Sequence, residues 1–427
     1  MECRQAALVN AALESTWAAQ ADLPAVDGDL VEAFEEGGKI GSYEIRRLLG
    51  EGEFATVFEC SREGIEGVVA VKAINKVKVQ KHNSLHKSKR NIRRVNTEVL
   101  AMRRFTHAGI CQLLDVLQST SFVYLVMEQG ERDLFNFLDD FPEGCPELVV
   151  KQIARILALG LRHCHNHGIA HRDIKPENIL VCGHPTEWGN LPEGGIVKLC
   201  DFGLCAVIHA GSLLNDFVGS PGFFAPELML RRQYDGAAAD MWSLGAVMVE
   251  MLLGHRYFDD LWCPPYEHLG DCDSFSRGIR DAVARVKLGC AEPPSEPVRK
   301  LLDQLLQVEP ERRATIEHLC SAKWFELLRV TPEGCTSILR LTFDRDRITS
   351  FNGLRPPPAL RRFAYRESPS ELASISSLDS ETNLKKMDGA TRSNLPSSIS
   401  STDSREDDLS FLSHLLPATT TTNNGRL

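Results

Sequence analysis

The stretch His171-Arg172-Asp173-Ile174-Lys175-Pro176-Glu177-Asn178 is followed, 28 residues after its aspartate, by Asp201-Phe202-Gly203. Transfer of a phosphoryl group from a metal-bound nucleotide needs a carboxylate that orients the accepting hydroxyl, and oxygen ligands that hold the metal. Aspartate and asparagine supply the oxygen atoms that a hard cation such as Mg2+ prefers. The order and spacing therefore indicate a phosphoryl-transfer site, in which Asp173 orients the hydroxyl while Asn178 and Asp201 hold the metal.

This eight-residue run resembles the catalytic loop of eukaryotic-type serine/threonine protein kinases. The resemblance implies an α+β fold with two lobes, a small β-rich N-lobe and a larger helical C-lobe. It also implies ATP and Mg2+ as cofactors, protein substrates with Ser/Thr acceptors, and Asp173 as the catalytic base. Lys175 is the residue that serine/threonine kinases carry at this position, where it would contact the transferred phosphate.

A glycine-rich run lies between two predicted strands: Leu49-Gly50-Glu51-Gly52-Glu53-Phe54-Ala55-Thr56-Val57. A hairpin with little side-chain bulk lets backbone amides approach phosphate oxygens. By itself the run is also compatible with an ordinary hairpin. It resembles the kinase glycine-rich loop, with Ala55 where the family usually has a third glycine, and this resemblance implies nucleotide binding.

Lys72 follows the apolar run Val69-Ala70-Val71, and burial of an unpaired ammonium group is costly. Such a lysine therefore needs an anionic partner, for which a structural salt bridge is the plainest explanation. The kinase resemblance instead supplies two partners, the nucleotide phosphates and Glu98. Glu98 lies on a helix that we predict from Asn91 to Arg104.

The segment from Tyr124 to Glu128 resembles the end of the fifth kinase strand and the start of the hinge between the lobes. The resemblance distributes the remaining nucleotide contacts among six residues. They are Met127 as the gatekeeper, the backbone of Glu128 and Gly130 at the adenine, Val57 and Ala70 on its two faces, and Asp133 near the ribose.

Arg172 precedes the predicted catalytic aspartate, and kinases with this arginine usually need a phosphate in the activation segment to neutralise it. The usual phosphorylated position is occupied here by Asp216. We predict that Asp216 partly substitutes for the phosphate, with one charge against nearly two. Ser212 remains a possible phosphorylation site. Ser220 resembles the residue that lies near the catalytic aspartate and helps to select Ser/Thr acceptors.

The composition, 43% hydrophobic and 25% charged residues, is that of a soluble globular protein. A net charge of −10 argues against general nucleic-acid binding, and no run approaches about 18 continuous apolar residues. Thirteen cysteines are scattered without zinc-site spacing, as expected of reduced thiols. We therefore expect neither nucleic acid nor a membrane as partner, and a location in the cytoplasm or the nucleus. The oligomeric state stays open.

The predicted domains are an N-terminal extension (1–42), a kinase domain (43–327), a C-terminal flank (328–365) and a Ser/Thr-rich, disordered tail (366–427). Within the kinase domain the N-lobe spans 43–128 and the C-lobe 131–327. The runs Ile174–Asn178 and Gly219–Phe223 look most like the calcium/calmodulin-dependent kinase group. The short basic run Ala359–Phe363 could accordingly be an autoinhibitory element or a calmodulin-binding element, which makes calmodulin a candidate partner.

Two questions stay open at this level. Residues 76–94 hold eight Lys/Arg and no acid. They could form a solvated helix face, a site where Arg93 or Arg94 meets an activation-segment anion while the others attract acidic partners, or a nuclear-targeting signal. The chain could also be a pseudokinase scaffold or a small-molecule kinase of similar fold. The complete set Lys72, Glu98, Asp173, Asn178 and Asp201 disfavours the first alternative, and Lys175 disfavours the second.

Overall fold

The computed structural model describes residues 36–64, 67–81, 85–183, 196–231, 233–267, 271–286 and 294–326. Most of the predicted N-terminal extension, the C-terminal flank and the tail lie outside these residues. The domain boundaries therefore stay a prediction at both ends.

The N-terminal lobe is built on one antiparallel sheet with the strand order β1-β2-β3-β4-β6-β5. Its strands are β1 Lys39–Ile40, β2 Tyr43–Glu51, β3 Ala55–Arg62, β4 Val69–Asn75, β5 Leu113–Gln118 and β6 Phe122–Glu128. Strand β6 lies between β4 and β5, and its residues from Phe122 to Met127 are all buried. Such a central strand, covered on both faces, accounts for its continuous apolar sequence.

Two helices follow β4, α1 Lys76–Gln80 and α2 Leu85–Arg104. Ile92, Val95, Val99 and Met102 recur on one face of α2 and pack into the main hydrophobic core. The predicted start at Asn91 was six residues too late. The apolar periodicity begins near there, but the preceding Lys and Arg residues are good helix formers and continue the helix toward its N-terminus.

The C-terminal lobe is mostly helical. Its helices are α3 Leu134–Leu138, α4 Glu147–Asn166, α5 Glu227–Leu230, α6 Gly236–Leu253, α7 His255–Leu261, α8 Cys272–Val286, α9 Glu296–Leu305, α10 Ile316–Cys320 and α11 Lys323–Glu326. Helix α6 is long and apolar enough to cross a membrane by length and composition, yet 89% of it is buried within the fold. Its apolar surface is that of a core helix. The predicted two-lobe α+β architecture is confirmed.

Five short strands complete the C-terminal lobe: β7 Arg132–Asp133, β8 Ile169–Ala170, β9 Ile179–Val181, β10 Val197–Leu199 and β11 Ala206–Val207. Strand β10 pairs with β9, and β11 pairs with β8, both antiparallel. The loop 171–178 therefore runs from β8 to β9, while the loop 200–205 runs back from β10 to β11. These two pairings bring the two motifs of the opening sequence side by side.

Candidate active site

The backbone of the loop 171–178 is fixed by hydrogen bonds to Asp240 on helix α6. Its carboxylate is completely buried and accepts hydrogen bonds from the backbone N–H of His171 (2.8 Å) and of Arg172 (2.7 Å). Arg172 has φ 68°, in the left-handed region that a side chain of this size rarely adopts. The two bonds to Asp240 hold the loop in this conformation, which costs about 1–3 kcal/mol. The carboxylate of Asp240 therefore anchors the backbone of this loop.

Asp173 lies at the centre of a hydrogen-bonded group within this loop. Its Oδ2 accepts from Asn178 Nδ2 (2.9 Å), and its Oδ1 accepts from the hydroxyl of Ser220 (2.8 Å). Lys175 Nζ donates to the same hydroxyl (2.9 Å) and lies 3.5 Å from Asp173 Oδ2. Three side chains that the sequence analysis singled out, those of Asn178, Ser220 and Lys175, therefore meet at the carboxylate of Asp173. A hydroxyl that replaced Ser220 at Oδ1 would find a hydrogen-bond acceptor already oriented.

A second charged group, the cleft cluster, consists of Lys72, Glu98 and Asp201. Lys72 Nζ lies 2.6 Å from Glu98 Oε1 and 2.8 Å from Asp201 Oδ1. It thereby joins strand β4, helix α2 and the loop after β10. The side chain of Glu98 is only 3% exposed, that of Lys72 14%, and that of Asp201 48%.

The environment of the cleft cluster shifts the pKa values of its members. Burial acts to lower the pKa of Lys72, but Asp201 and Glu98 outweigh it, so the net shift is upward. Burial raises the pKa of Glu98, and Lys72 opposes this. Lys72 holds the pKa of Asp201 at about 2. Lys72 is therefore a cation and Asp201 an anion throughout the neutral range.

The residues predicted to hold Mg2+ present the right atoms for it. Asn178 uses its amide nitrogen on Asp173, which leaves the amide oxygen as the atom available to a cation. Asp201 keeps a half-exposed carboxylate although Lys72 occupies one of its oxygens. Across the described ranges, no group of three or more His, Cys, Asp or Glu side chains suits a metal ion. A two-residue oxygen site matches Mg2+, which usually retains water and binds substrate phosphates.

The phenyl ring of Phe202 packs behind this site. It meets the ring of His171 edge-on with centroids 4.7 Å apart, and the ring of Phe105 lies 5.1 Å away. Asp201 has φ 58°, the second residue with a positive φ among the non-glycine residues that the structure covers. The buried phenylalanine and the strained aspartate fix the direction of the Asp201 carboxylate toward the cleft.

The glycine-rich run forms the hairpin between β2 and β3, where the N–H of Gly52 donates to the carbonyl of Ala55 (2.8 Å). The strand register sets Val57 opposite Lys72, and Ala70 opposite Met127. The run from Leu49 to Val57 is exposed or only partly buried, as a surface that receives a ligand would be. Gly130 packs against Leu180 so closely that an added Cβ would lie 2.7 Å from its Cβ.

The side chain of Glu128 is occupied within the protein. It accepts hydrogen bonds from the backbone N–H of Gln112 (2.6 Å) and from Lys198 Nζ (2.9 Å). Lys198 lies on β10 of the C-terminal lobe, so this contact joins the two lobes at the hinge. The backbone N–H of Glu128 donates to the carbonyl of Gln112 (3.1 Å), so the predicted adenine contact would use its backbone carbonyl.

Two further predicted site residues, Asp133 and Ser212, make local hydrogen bonds. Asp133 is the N-cap of helix α3, and its carboxylate accepts from the N–H of Asn136 (2.7 Å) and from its side-chain amide. Ser212 lies in a turn in which its hydroxyl contacts the backbone of His209 (2.9 Å). Neither arrangement tests the predicted roles, Asp133 near the ribose and Ser212 as a phosphorylation site, which stay predictions.

The activation segment is held by a third group, the activation cluster of Arg94, Arg172 and Asp216. Arg172 donates to Asp216 Oδ1 (2.5 Å) and Arg94 donates to Oδ2 (3.2 Å). Although burial acts to raise it, the two guanidinium groups hold the pKa of Asp216 below its ordinary value. One carboxylate therefore joins helix α2 to the loop 171–178.

Sequence reasoning left the choice between Arg93 and Arg94 open and missed Tyr234. The hydroxyl of Tyr234 accepts from Arg172 (3.1 Å) and donates to the backbone carbonyl of Asp216 (3.1 Å). Arg94 precedes Glu98 by four residues, so both lie on one helix face, and this spacing could have decided for Arg94. No sequence signal points to Tyr234, which is 62 residues from Arg172.

The segment from Asp201 to Glu227 is closed by a buried ion pair. Arg313 forms two hydrogen bonds to Glu227, at 2.7 Å and 2.8 Å, and both side chains are fully buried. The bidentate geometry compensates the desolvation of both charges.

Comparison with known proteins agrees with this geometry. Residues 43–325 match the protein kinase domain family. CBL-interacting protein kinase 4 of Oryza sativa subsp. japonica is 33% identical over 328 residues, which are 75% of this chain and 65% of the relative. CBL-interacting serine/threonine-protein kinase 19 of Arabidopsis thaliana is 32% identical over 295 residues, 67% and 54% of the two chains.

A SNF-related serine/threonine-protein kinase of Rattus norvegicus is 30% identical over 302 residues, 69% of this chain and 36% of the relative. The match thus spans between 36% and 65% of the length of these three relatives. The family match, by contrast, covers the greater part of this chain and includes every residue of the three charged groups described above. The chain therefore belongs to the protein kinase family.

Proposed function

We propose that the chain is an active serine/threonine protein kinase that transfers the γ-phosphate of Mg-ATP to Ser/Thr hydroxyls of protein substrates. The observation that carries this proposal is the joint presence of the cleft cluster and of the hydrogen-bonded group at Asp173. Mg-ATP, when bound, supplies the phosphoryl group and the neutralising divalent charge.

In this proposal the charge and polarity of each side chain determine which part of Mg-ATP or of the substrate it contacts. Lys72, positioned by Glu98, binds nucleotide phosphates, while Asp201 and Asn178 provide the metal ligands. Asp173 accepts the hydrogen bond of the substrate hydroxyl and takes its proton as the hydroxyl oxygen becomes bonded to the γ-phosphorus and the bond from that phosphorus to ADP breaks, which releases ADP. Lys175, 2.9 Å from the Ser220 hydroxyl, lies where a cation stabilises charge on the transferred group.

We further propose that Asp216 gives the enzyme basal activity without phosphorylation. The reason is that Asp216 bridges Arg94 and Arg172, as an activation-segment phosphate would. A carboxylate carries about one charge where a phosphate carries nearly two, so this activity is expected to be lower than that of a phosphorylated kinase.

A basic substrate preference is a separate proposal. We propose that one of two acids, Glu177 or Asp133, meets an arginine upstream of the acceptor. Since both Asp133 oxygens accept hydrogen bonds from Asn136, Glu177 is the better placed of the two. Glu177 is exposed and lies within the loop 171–178, four residues after Asp173.

The proposed kinase group rests on two motifs, and the proposed partners rest on the names of relatives and on the short basic run 359–363. The motifs Ile174–Asn178 and Gly219–Phe223 are what favours the calcium/calmodulin-dependent kinase group. Several relatives are named CBL-interacting kinases. We therefore propose a CBL protein as a partner of this chain, with calmodulin as the alternative. Calorimetric titration of the full chain with each protein, with and without Ca2+, separates the two. We propose a cytoplasmic or nuclear location, which fluorescence microscopy of the tagged chain tests.

The central experiment is phosphorylation of a Ser/Thr peptide library by wild type and Asp173→Asn in the presence of Mg-ATP. We expect labelling of peptides with basic residues before the acceptor, and a loss of about 100- to 10,000-fold in the variant, the range for a general base. Nucleotide binding should be unchanged in Asp173→Asn. A wild-type protein that binds nucleotide but labels no peptide would instead indicate a scaffold.

A further inference from the structure

The N-terminal half of helix α2 carries an exposed cationic surface. Its side chains, which we call the basic face, are Lys87, Lys89, Arg90 and Arg93. Arg94 follows them but belongs to the activation cluster. None of the four makes an ion pair with an acid in the part of the chain that the structure describes, whereas Arg94 pairs with Asp216.

The basic face is electrostatically unfavourable by itself. Lys87 and Arg90, and likewise Lys89 and Arg93, are three or four residues apart, so their like charges are neighbours on the helix surface. The first turn contains no acid, although the positive end of the helix dipole favours one there. A helix that also carries Glu98 is thus assembled with surplus positive charge at its beginning.

The excess of positive charge on helix α2 includes the partly buried Arg94. Burial lowers the pKa of Arg94, and the nearby Arg90 lowers it further against the opposing effect of Asp216. The Nε–H of Arg94 is buried and has no acceptor among the described residues. An additional anion near this end of α2 would therefore improve the electrostatics of the whole region.

An acidic block of complementary charge directly precedes the N-terminal lobe in the sequence. Residues 22–36 contain no Lys, Arg or His but six acids: Asp22, Asp27, Asp29, Glu32, Glu35 and Glu36. Residues 76–97 show the inverse, with eight Lys/Arg and no Asp or Glu. The charge patterns of the two blocks are opposite.

The length of chain is sufficient to connect them. Glu36 is exposed and directly precedes the turn in which Gly37 and Gly38 bond to Ile45, so the chain enters the lobe at the β1 edge of the sheet. Three strand spacings of about 4.8 Å separate β1 from β4, from which α1 and α2 continue. Fourteen residues reach up to roughly 45 Å when extended. The covalent tether also raises the effective concentration to the order of millimolar.

We propose that the acidic N-terminal segment, residues 22–36, docks on the basic face and stabilises helix α2 in the position observed here. The contact is an interaction between exposed charges, so it weakens as salt shortens the Debye length from about 10 Å at 0.1 M to about 3 Å at 1 M. It does not depend on the proposed phosphoryl transfer, because the four cations of the basic face take no part in that site.

Zero-length carbodiimide coupling of carboxylates to lysine amines in the full chain tests the proposal, with peptide mass spectrometry as readout. At low salt we expect residues 22–36 to couple to Lys87 and Lys89 at least about fivefold more than to Lys300 and Lys323, which are exposed on the C-terminal lobe. The preference should disappear at high salt. Equal coupling to all four lysines, or a preference that salt does not change, would overturn the proposal.

Charge reversal provides the matched control. Replacing Asp27, Asp29, Glu32 and Glu35 by lysine should abolish coupling to the basic face, and adding Lys89→Glu with Arg93→Glu should restore coupling between the two regions. Circular dichroism verifies that each variant is folded. Mixing 14N- and 15N-labelled chains identifies the source of the acid. Coupled products that join differently labelled chains, or coupling of the basic face to another acidic segment, would exclude the N-terminal segment as its occupant.

Discussion

Two charged clusters lie one turn apart on the same face of helix α2, and their formal charges are opposite. The cleft cluster combines one lysine with two carboxylates, Glu98 and Asp201, for a formal charge of −1. The activation cluster combines two arginines with one carboxylate, Asp216, for a formal charge of +1. The helix supplies Glu98 to the first and Arg94 to the second.

The difference in formal charge indicates which further charge each cluster can accept. A negatively charged cluster with a half-exposed carboxylate has capacity for a divalent cation. A positively charged cluster has capacity for one more negative charge than Asp216 provides, which is the difference between a carboxylate and a phosphate dianion. Because both clusters draw on one helix, a shift of α2 would disturb both together. The predictions below test whether the two clusters differ in the way that these charges imply.

The largest effect is expected at the cleft cluster from Asp201→Asn. The substitution keeps the shape of the side chain but removes the charge that would hold the metal, so phosphorylation of a peptide should fall by about a thousandfold. Nucleotide affinity measured by calorimetry should lose its dependence on Mg2+. Retention of that dependence would mean that another group holds the metal.

A smaller effect is expected from Glu98→Ala, which leaves Lys72 with Asp201 alone. Lys72 would then be free to remain on Asp201 instead of reaching the phosphates, and activity should fall about tenfold to a hundredfold. Steady-state peptide phosphorylation measures the change. The matched control is Glu44→Ala on β2, whose carboxylate is exposed and pairs only with Arg46 among the described residues. It should retain wild-type activity.

At the activation cluster, Asp216→Ala should lower the basal activity of phosphatase-treated enzyme by about tenfold. The reason is that Arg94 and Arg172 would repel each other without a shared carboxylate, which changes the position of α2. Asp216→Glu keeps the charge and should retain most of the activity. If Asp216→Ala were as active as wild type after phosphatase treatment, the activation cluster would have no role in positioning the helix.

The smallest expected effect is a change of the free energy of unfolding with pH, and it arises from His163, which belongs to neither cluster. The pKa of Asp201 is about 2 and that of Asp216 is below its ordinary 3.8, so neither changes charge in the neutral range. Burial lowers the pKa of His163 from 6.5, aided by His167 and His107. The folded protein thus binds fewer protons at His163 than the unfolded chain does. Its free energy of unfolding should therefore decrease as the pH falls through about 6.5.

Urea denaturation at about pH 5.5 and about pH 7.5 measures this dependence. His163→Gln should reduce the slope, by no more than about 1.4 kcal/mol per pH unit, the limit for one proton. Asp216→Asn should shift the stability at both pH values equally. A slope that changed with Asp216→Asn would show that the activation cluster titrates in the neutral range.

The two-lobe fold followed from the resemblance of the motifs to protein kinases. Helix α2 followed from its own apolar periodicity, because burial of one face imposes its period on the sequence. The start of α2 was misplaced, since its first turns are cationic and carry no apolar signal. The cap formed by Asp133 was likewise missed, because an aspartate before a helix reads equally as a cap and as a ligand.

The sequence by itself determined the chemical groups and their order, namely Lys72, Glu98, Asp173, Asn178 and Asp201, because these residue types at these spacings are specific to one chemistry. Only the tertiary structure decided which charges meet. In the tertiary structure Arg94, and not Arg93, pairs with Asp216. Tyr234 comes from a distant segment to Arg172, and Glu128 pairs with Lys198. The physical reason is that ion pairs and hydrogen bonds act over a few ångströms, and distances of that size between remote segments are set by packing.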